Sequence, residues 1–506
     1  MTTLPDWLDP LYTAEEMRAC DRWAIEEQDL PSLDLMEHAS LGLARLTARL
    51  ARPGLPIRVV IGPGNNGGDG LAAARMLREE GREVDVLTVA ALDRLSGDAR
   101  ANLDRLPGVA PIPFEAAALA GSGAIVDAML GTGSSGEPRD QVATAIAAIN
   151  ETNAPVVACD VPSGVDASSG EVVAAAVRAD ATATFHGSKI GIHVAPGAVH
   201  AGDVEVIPIA IPRGGPGPVV AGLISERVLD LFPRRQRYGT KFDSGVVAIA
   251  GGARGLSGAP AMAALAAARA GAGYVQVAVP ASVAPALELR LLEQMTRALP
   301  DTDGTHSPDG VAGFLDLAAR AGAVVLGPGL DRSEPATAFA RGVAAAVEVP
   351  LLIDADGLNA HAGVLETLRE RSATTVLTPH SAELGRLLGR ETADVDAHRL
   401  ACAREAAERS GAVVLLKGDD TVVAAPGGPV AISPGATPAL ATAGTGDVLS
   451  GLIGALLAKG LDAFDAAALG AVAHACAGRA AAARHGADHV IAGDVIDALP
   501  DGLRSR

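Results

Sequence analysis

At 506 residues with a net charge of -19, the chain exceeds the size of one hydrophobic core, and we expect about two to four domains. Aromatic residues make up only 2% of the chain and apolar residues 49%, so its cores must consist mainly of Ala, Val, Leu and Ile, as in α/β layers. The strong negative charge argues against a nucleic-acid or anionic-membrane partner. It does not exclude nucleotides, because helix N-termini bind phosphate without basic side chains.

Targeting and redox signals are weak. The four cysteines are scattered and show no CxxC spacing, which is typical of free thiols in a reducing compartment. The N-terminal stretch MTTLPDWLDPLYTAEE is acidic and lacks the apolar segment of a signal peptide. The apolar run 448–458 is too short to span a bilayer. We therefore expect a cytoplasmic protein with no membrane partner.

The first half of the chain alternates Val- and Ile-rich runs with amphipathic stretches. Strands are predicted at 57–62, 83–90, 123–130 and 154–162, and helices at 70–81 and 141–150. Strands that alternate with helices indicate right-handed βαβ units and a parallel sheet.

The segment IPRGGPGPVV (211–220) is the best linker candidate, because it holds prolines and glycines that suit neither a helix nor a central strand. The pattern then restarts with six strand-like runs and a helix at 258–273. The runs are 245–252, 274–280, 323–330, 350–357, 374–380 and 412–418. We predict two α/β domains, 1–213 and 225–506, joined by a linker at 214–224.

The segment IGPGNNGGDG (61–70) connects the predicted strand at 57–62 to the predicted helix at 70–81. Ligands of open α/β sheets bind at the carboxyl ends of strands, and glycines let the backbone approach a phosphate closely. A tight βα turn with a good N-cap is the alternative for this stretch alone. Polar side chains at two further strand ends favour a site: Asp127 in VDAMLGTGSSGEP, and Asp160 and Ser163 in DVPSGVD. The oxygens of Asn66, Asp127 and Ser163 would suit a hard cation.

Together, NNGGDG, the D-x-x-x-G-T-G segment, DVPSGVD and KIGIHVAPGAVHAGDVEV (189–206) resemble the NAD(P)H-hydrate epimerase half of the bifunctional NAD(P)H-hydrate repair enzymes. The resemblance runs from about Tyr12 to Pro212. It implies a Rossmann-like three-layer αβα domain that interconverts the R and S hydrates at C6 of the nicotinamide ring. It also implies that Asn66, Asp127 and Ser163 hold K⁺, and that Asp160 lies at the reacting ring as the proton-transfer group. The hydrate's phosphates and ribose would contact Asn65, Asn66, Gly67, Gly68, Asp69, Gly131, Thr132, Gly133, Ser134, Ser135, Gly136 and Glu137.

In the second half, TAGTGDVLSG (442–451) places glycines and an aspartate before a buried helix. Unpaired N–H groups at a helix start form an anion hole, which can stabilise a phosphoryl group in transfer. Asp447 could take the proton from an attacking hydroxyl. The alternative is that Thr445 or Asp447 merely caps the helix, which leaves both glycines unexplained.

This helix start resembles that of ribokinase-like kinases. GPGL (327–330), DADGLN (354–359), TPHSAELGRLLG (378–389) and LLKGDDTVV (415–423) narrow the resemblance to nucleotide-dependent NAD(P)H-hydrate dehydratases across nearly all of 225–500. A ribokinase-like αβα domain is implied, which phosphorylates the C6 hydroxyl of the S hydrate and then eliminates phosphate.

The same resemblance assigns roles to individual residues. Asp447 would be the base, and ADP, with ATP as the alternative, would be bound with Mg²⁺. The nucleotide site would comprise Lys417, Gly418, Asp419, Asp420, Thr421, Gly444, Thr445 and Gly446. The hydrate would contact Ala259, Gly329, His380 and Asp447.

Two alternatives stay open at this point. One is a ribokinase-like small-molecule kinase with an accessory nucleotide-binding domain, and the other is a non-catalytic N-terminal scaffold. On the leading hypothesis the substrates are NADHX, NADPHX and ADP or ATP. The apolar, Ala-rich helices leave room for a large interface, and we expect a homo-oligomer.

Overall fold

The structure is a computed structural model that describes residues 4–212 and 215–504. Two compact units share the chain: one is formed by Pro10–Gly222 with the N-terminal residue Leu4, the other by Pro5–Asp9 and Leu223 onward. Residues 213 and 214, at the junction predicted between the first domain and the linker, lie outside the described residues, as do 1–3 and 505–506. The last part of the predicted linker differs from expectation, because Ala221–Ile224 form a strand.

The N-terminal unit alternates strands and helices as its sequence pattern predicts. Its helices are α1 (Ala14–Glu26), α2 (Ser32–Leu50), α3 (Asn65–Glu79), α4 (Gly97–Arg105), α5 (Asp140–Asn150) and α6 (Ala198–Ala201). Its strands are β1 (Leu8–Tyr12), whose first two residues are assigned to the other unit, β2 (Ile57–Ile61), β3 (Val84–Thr88), β4 (Ile112–Pro113), β5 (Ala124–Ala128), β6 (Val156–Cys159), β7 (Ala181–Phe185), β8 (Ser188–Lys189) and β9 (Asp203–Ile207).

Seven of these strands form a parallel sheet in the order β4-β3-β2-β5-β6-β7-β9. Side chains that alternate along β2 fill two cores, since successive strand residues point to opposite faces. Val59 and Ile61 belong to the cluster that includes side chains of α2 and α3, whereas Val60 packs with Ile146 and Ile149 of α5. The predicted three-layer αβα arrangement is confirmed.

The C-terminal unit repeats this architecture on a larger scale. Its helices are α7 (Gly258–Arg269), α8 (Ala284–Glu288), α9 (Val311–Ala318), α10 (Glu334–Ala346), α11 (Asp356–Asn359), α12 (Ser381–Leu388), α13 (Thr392–Ala397), α14 (Arg399–Ser410), α15 (Thr445–Ala458), α16 (Ala463–His485) and α17 (Ala492–Gly502). After β10 (Ala221–Ile224), its strands are β11 (Val246–Ala250), β12 (Tyr274–Pro280), β13 (Met295–Leu299), β14 (Asp301–Thr302), β15 (Thr305–His306), β16 (Ala323–Leu326), β17 (Leu351–Ile353), β18 (Thr375–Leu377), β19 (Val413–Leu416), β20 (Val422–Ala424) and β21 (Val430–Ile432).

Within this unit the strand order is β13-β12-β11-β16-β17-β18-β19-β20-β21. The pairs from β13 to β19 are parallel, and β20 and β21 add an antiparallel edge. The six predicted strand runs of this half are all confirmed. Helix α15 packs on the central strands through Gly454, where a Cβ would lie 2.4 Å from Val325 Cγ2.

The 23-residue helix α16 is long and apolar enough, by length and composition, to cross a membrane. However, 72% of its apolar window is buried inside the protein, and it packs against α15 and α17. These contacts are those of a core helix of an α/β unit.

Candidate active sites

The start of α3 differs from the sequence-based prediction, because the helix begins at Asn65 rather than at residue 70. The glycine-rich stretch is therefore the first turn and a half of the helix. Close packing explains two of its glycines: a Cβ on Gly67 would lie 2.1 Å from Gly62 O, and one on Gly68 would lie 2.9 Å from Ala99 Cα. The N-cap is Gly64, which offers no side-chain acceptor, so the first N–H groups of α3 remain available to an anion.

A cavity of about 520 Å³ opens beside this helix start. It brings together eight of the residues predicted to contact the hydrate, whereas Gly67 and Gly68 serve the packing of α3. The eight are Asn65, Asn66, Asp69, Gly131, Thr132, Gly133, Ser134 and Asp160. An adjoining cavity of about 560 Å³ is lined by the remaining predicted residues, Ser135, Gly136 and Glu137, and shares Gly131, Gly133 and Ser134 with the first.

The three predicted potassium ligands gather around Leu130. Ser163 donates to both oxygens of Asp127, from Oγ at 2.6 Å and from its backbone N–H at 2.8 Å. Asn66 Nδ2 donates to Leu130 O at 2.8 Å, and Leu130 N donates to Ser163 Oγ at 2.9 Å. Burial raises the pKa of Asp127 to about 6, although the Ser163 and Met129 hydrogen bonds oppose the rise. The amide, hydroxyl and carboxylate oxygens form a donor set that fits a hard cation.

Asp160 follows the end of β6 and lies in the left-handed region, with φ of 68°. Its Oδ1 is 2.6 Å from Lys189 Nζ, and both side chains are buried, with Lys189 only 1% exposed. The ammonium also donates to Thr184 Oγ1 at 3.0 Å and to Phe185 O at 2.9 Å. The sequence analysis gave Lys189 no role, although this lysine begins the segment KIGIHVAPGAVHAGDVEV and has apolar neighbours in GSKIGIHV.

The start of α15 is shaped as an open anion hole. Gly444 is the N-cap with φ of 93°, a conformation that glycine adopts without strain. Thr445 Oγ1 turns away from the helix and donates to Leu440 O and Thr442 O. Among the described residues, no hydrogen bond joins a first-turn N–H to the Thr445 or Asp447 side chain, so the helix-capping alternative is wrong. A Cβ on Gly446 would meet no atom closer than Lys417 Nζ at 3.6 Å.

Four charged side chains converge beside this hole. Lys417 Nζ lies 2.9 Å from Asp354 Oδ1 and 3.6 Å from Glu383 Oε2, and Asp354 Oδ2 accepts a 2.6 Å hydrogen bond from Ser450 Oγ of α15. Burial opposes the charge of Lys417, but the carboxylates outweigh it and raise the pKa of the ammonium. Burial, reinforced by the charge of Asp354, raises the pKa of Asp447 to about 7. A base poised near neutrality is the arrangement that proton abstraction requires.

Asp354 and Glu383 are functional candidates that the sequence analysis did not assign. Both belong to quoted motifs, DADGLN and TPHSAE, but nothing in their spacing indicates that one ammonium lies between them. That juxtaposition arises because β17, β18 and β19 are neighbours in the sheet, so their carboxyl ends meet.

The loop that begins at Lys417 is held by its own side chains. Thr421 Oγ1 donates to Gly418 O at 2.8 Å, and Asp419 Oδ1 accepts from Ala436 N at 2.9 Å. Asp420 forms a buried ion pair with Arg399, with Nε and Oδ2 3.0 Å apart. The five predicted nucleotide contacts thus form one ordered loop after β19, and Arg399 is a support that the sequence gave no means to identify.

The predicted hydrate contacts of this unit lie on α7, on the loop after β16, at the N-terminus of α12 and on α15. Gly329, with φ of 64°, sits against α7, where its Cβ would lie 3.1 Å from Ala259 Cβ. The same helix borders the anion hole, since a Cβ on Gly444 would lie 2.6 Å from Met262 Sδ. His380 caps α12, where its Nδ1 accepts from the N–H groups of Ala382 and Glu383. Its Nε2 is therefore the nitrogen that carries the proton in the neutral ring.

Comparisons with known proteins agree with both halves of this description. Residues 247–501 match the family profile described as NAD(P)H-hydrate dehydratase, and residues 32–191 match that described as YjeF-related protein N-terminus. A solved structure of the ADP/ATP-dependent NAD(P)H-hydrate dehydratase from Bacillus subtilis, co-crystallised with ATP/Mg²⁺, is 27% identical. It covers 56% of this chain and 97% of its own, with a TM-score of 0.49.

Two full-length relatives carry both halves in one chain. The bifunctional NAD(P)H-hydrate repair enzyme Nnr of Salinibacter ruber is 40% identical over 97% of this chain and 95% of its own length. The protein of the same name from Moorella thermoacetica is 39% identical over 98% of this chain and 97% of its own. With this identity extending through both units, the chain belongs to the family of bifunctional NAD(P)H-hydrate repair enzymes.

Proposed function

We propose that this chain repairs hydrated NADH and NADPH, with epimerisation in the N-terminal unit and nucleotide-dependent dehydration in the C-terminal unit. The observation that carries the proposal is the start of α15, where an open anion hole adjoins a half-buried acid with a pKa of about 7 and a lysine held by two carboxylates. Phosphoryl transfer needs these three parts: donors for the moving phosphoryl group, a cation and a base for the attacking hydroxyl.

In the dehydratase step, Asp447 takes the proton from the C6 hydroxyl of the S hydrate as that oxygen attacks the terminal phosphoryl group of the nucleotide. The N–H groups at Gly444–Gly446 and the Lys417 ammonium stabilise the charge that develops on the phosphoryl oxygens. The C6–O bond then breaks with phosphate as the leaving group, a proton leaves C5, and the dihydropyridine ring is restored. With ADP, the products are NAD(P)H, AMP and inorganic phosphate.

The nucleotide site is the second part of the proposal. The ordered loop Lys417–Thr421 and the start of α15 would bind the nucleotide, for which we expect ADP to be preferred and ATP to be the alternative. Among the described residues, no group of three or more His, Cys, Asp or Glu side chains forms a metal site. Mg²⁺ would therefore be held mainly by the nucleotide's phosphates and water, as is usual for this ion, and would neutralise phosphate charge.

In the epimerase step, the hydrate would lie in the cavity beside α3 with its phosphates at the N–H groups of that helix. Asp160 would transfer a proton at the nicotinamide ring. Asn66, Asp127 and Ser163 would hold K⁺, whose charge would favour an anionic ligand. A chain with both sites can repair both epimers, because the dehydratase accepts one epimer and the epimerase supplies it from the other. We also expect a homo-oligomer and a cytoplasmic location.

A small-molecule kinase is the competing function, since it would use the same anion hole and base. The two differ in the fate of phosphate, which a kinase leaves on its product and a dehydratase releases. Incubation with S-NADPHX, ADP and Mg²⁺ tests this directly. We expect recovery of the reduced-nicotinamide absorbance with one phosphate released per hydrate consumed. A stable phosphorylated product would favour the kinase.

A further inference from the structure

The cavity of the N-terminal unit is lined by four carboxyl groups and two cations: Asp21 of α1, Asp69 of α3, Asp98 of α4 and Asp160 at the end of β6, with Arg18 of α1 and Lys189. Asp69 and Asp160 are buried, whereas Asp21 and Asp98 are partly exposed, and a buried carboxyl group with no cation against it favours its protonated form. The contacts separate the two buried groups, because the Lys189 ammonium lies directly against Asp160.

Asp160 is the carboxylate that forms the ion pair with Lys189. Besides the ion pair with Lys189, its Oδ1 lies 3.3 Å from Thr184 Oγ1 and 3.5 Å from Phe185 N. The lysine in turn is fixed by three contacts, since it also donates to Thr184 Oγ1 and Phe185 O. Lys189 therefore acts through Asp160, as a positioning residue that fixes both the charge and the direction of this carboxylate.

Asp69 has the opposite environment. It is 8% exposed, and among the described residues no hydrogen bond reaches its carboxyl group. Burial raises the pKa of Asp69 well above its ordinary value, and the charges of Asp160 and Asp21 raise it further.

The other groups that face Asp69 do not reverse this effect. Asp98 of α4 adds to the rise, and Lys189 opposes it only partly. The neighbouring Cys159 thiol stays neutral, because its own burial raises its pKa as well. Burial and the neighbouring carboxylates thus favour the protonated form of Asp69, whereas the Asp160 carboxylate in the same cavity is ion-paired with Lys189.

On the proposed function, the hydrate must lose its C6 oxygen on one face of the ring and regain one on the other. The N1 lone pair expels the hydroxyl as N1=C6 forms, and the departing oxygen needs a proton to leave as water. Water then adds to C6 from the other face, and a base must take a proton from it while N1 regains its lone pair. The reaction therefore needs one acid and one base in the same cavity, and two carboxyl groups with separated protonation states supply such a pair.

We infer that Asp69 is the second catalytic group of the epimerase site, the acid that partners the Asp160 carboxylate held by Lys189. This inference rests on the proposed epimerase function. In one direction Asp69 gives its proton to the departing hydroxyl and Asp160 takes one from the incoming water. A proton returns from Asp160 to Asp69 to complete the cycle, so no external oxidant, reductant or co-reactant is needed. The phosphate contacts of the same segment then come from backbone N–H groups, since a buried acid would not bind phosphate.

The test compares the R-to-S conversion of NADPHX by full-length wild type, Asp69→Asn and the matched surface control Asp104→Asn, each corrected for the spontaneous rate. Asparagine has nearly the same shape as a protonated aspartic acid but cannot give up a proton. We expect kcat of Asp69→Asn to fall by about 10²- to 10⁴-fold with KM little changed, and Asp104→Asn to match the wild type. Dehydration of the S hydrate by the same samples should be unaltered.

The pH profile gives a readout that a structural role would not move. In wild type, epimerisation should fall as pH rises through the raised pKa of Asp69 and this group loses its proton, and the decline should be absent from the residual activity of Asp69→Asn. For Lys189, we expect Lys189→Met to lower kcat rather than raise KM, and Lys189→Arg to restore part of the loss. Full epimerase activity in Asp69→Asn, with the wild-type pH profile, would overturn the inference while leaving the proposed function intact. A wild type that does not epimerise at all would instead refute the proposed function.

Discussion

Asp447→Asn should make the protein more stable while it abolishes dehydration. Bringing the pKa of this acid from 3.8 to about 7 corresponds to about 4 kcal/mol of cost for its ionised form in the folded state. Partial exposure of the side chain makes this an upper estimate. Asparagine carries no charge and therefore avoids the free-energy cost of the half-buried carboxylate. The expected gain in stability arises because the active-site acid of the wild type destabilises the fold.

The pH range in which Asp447 destabilises the fold follows from the same two pKa values. Because the folded-state pKa lies above the unfolded value, ionisation costs nothing below about pH 3.8, costs progressively more up to about pH 7 and is constant above that. The stability advantage of Asp447→Asn over wild type should therefore grow by about 2 kcal/mol between about pH 5.5 and pH 8. Calorimetric or denaturant unfolding of the full chain at the two pH values measures this difference.

Asp488→Asn is the matched control, because Asp488 is exposed and its substitution should leave no such pH dependence. The activity of wild type provides a second check, since a base with a pKa of about 7 should give a dehydration rate near pH 6 that is about a tenth of its plateau. An advantage of Asp447→Asn that stays constant with pH, or a wild-type rate that is flat through neutrality, would refute the reasoning.

Two further predictions concern the nucleotide site. Gly446→Ala should impair dehydration with little loss of stability, because a Cβ at this position meets no close atom. Gly451→Ala, farther along the same helix, should destabilise the fold by about 1–3 kcal/mol, since its Cβ would lie 2.0 Å from Ala263 O. Unfolding and turnover are measured on both variants, and equal stability losses would contradict this prediction. Arg399→Met removes the buried ion-pair partner of Asp420 and should lower the free energy of unfolding by about 3–5 kcal/mol. It should also raise KM for the nucleotide more than KM for the hydrate. Unchanged nucleotide binding would argue against a supporting role for Arg399.

The strand and helix pattern was readable from the sequence because buried parallel strands appear as short Val- and Ile-rich runs. The α/β class followed from their alternation with helices. The start of α3 was misplaced since glycine has low helix propensity, and only the close approach to Gly62 and Ala99 explains why glycines occupy its first turns. The strand at Ala221–Ile224 was missed because the proline- and glycine-rich residues before it dominate the pattern.

For the sites, the motifs indicated which loops meet at the strand ends but not which charges pair. Lys189 lies in a segment whose resemblance was noted without a role for this residue, and its contact with Asp160 depends on how the end of β6 and strand β8 come together. Asp354 likewise gains its place only through Lys417 and Ser450, which are distant in sequence. Ion pairs and hydrogen bonds of this kind are determined by tertiary structure, so short sequence motifs do not predict them. The roles of the predicted site residues remain predictions.

The most direct test of the central claim uses purified R-NADPHX with ADP and Mg²⁺, because this substrate requires both units of the chain. We predict full recovery of the reduced-nicotinamide absorbance with wild type, at a rate above that of spontaneous epimerisation, and with one phosphate released per hydrate. Asp160→Asn should lose this acceleration yet still process the S hydrate at the wild-type rate. Undiminished repair of the R hydrate by Asp160→Asn, or no recovery with wild type from either epimer, would contradict the account.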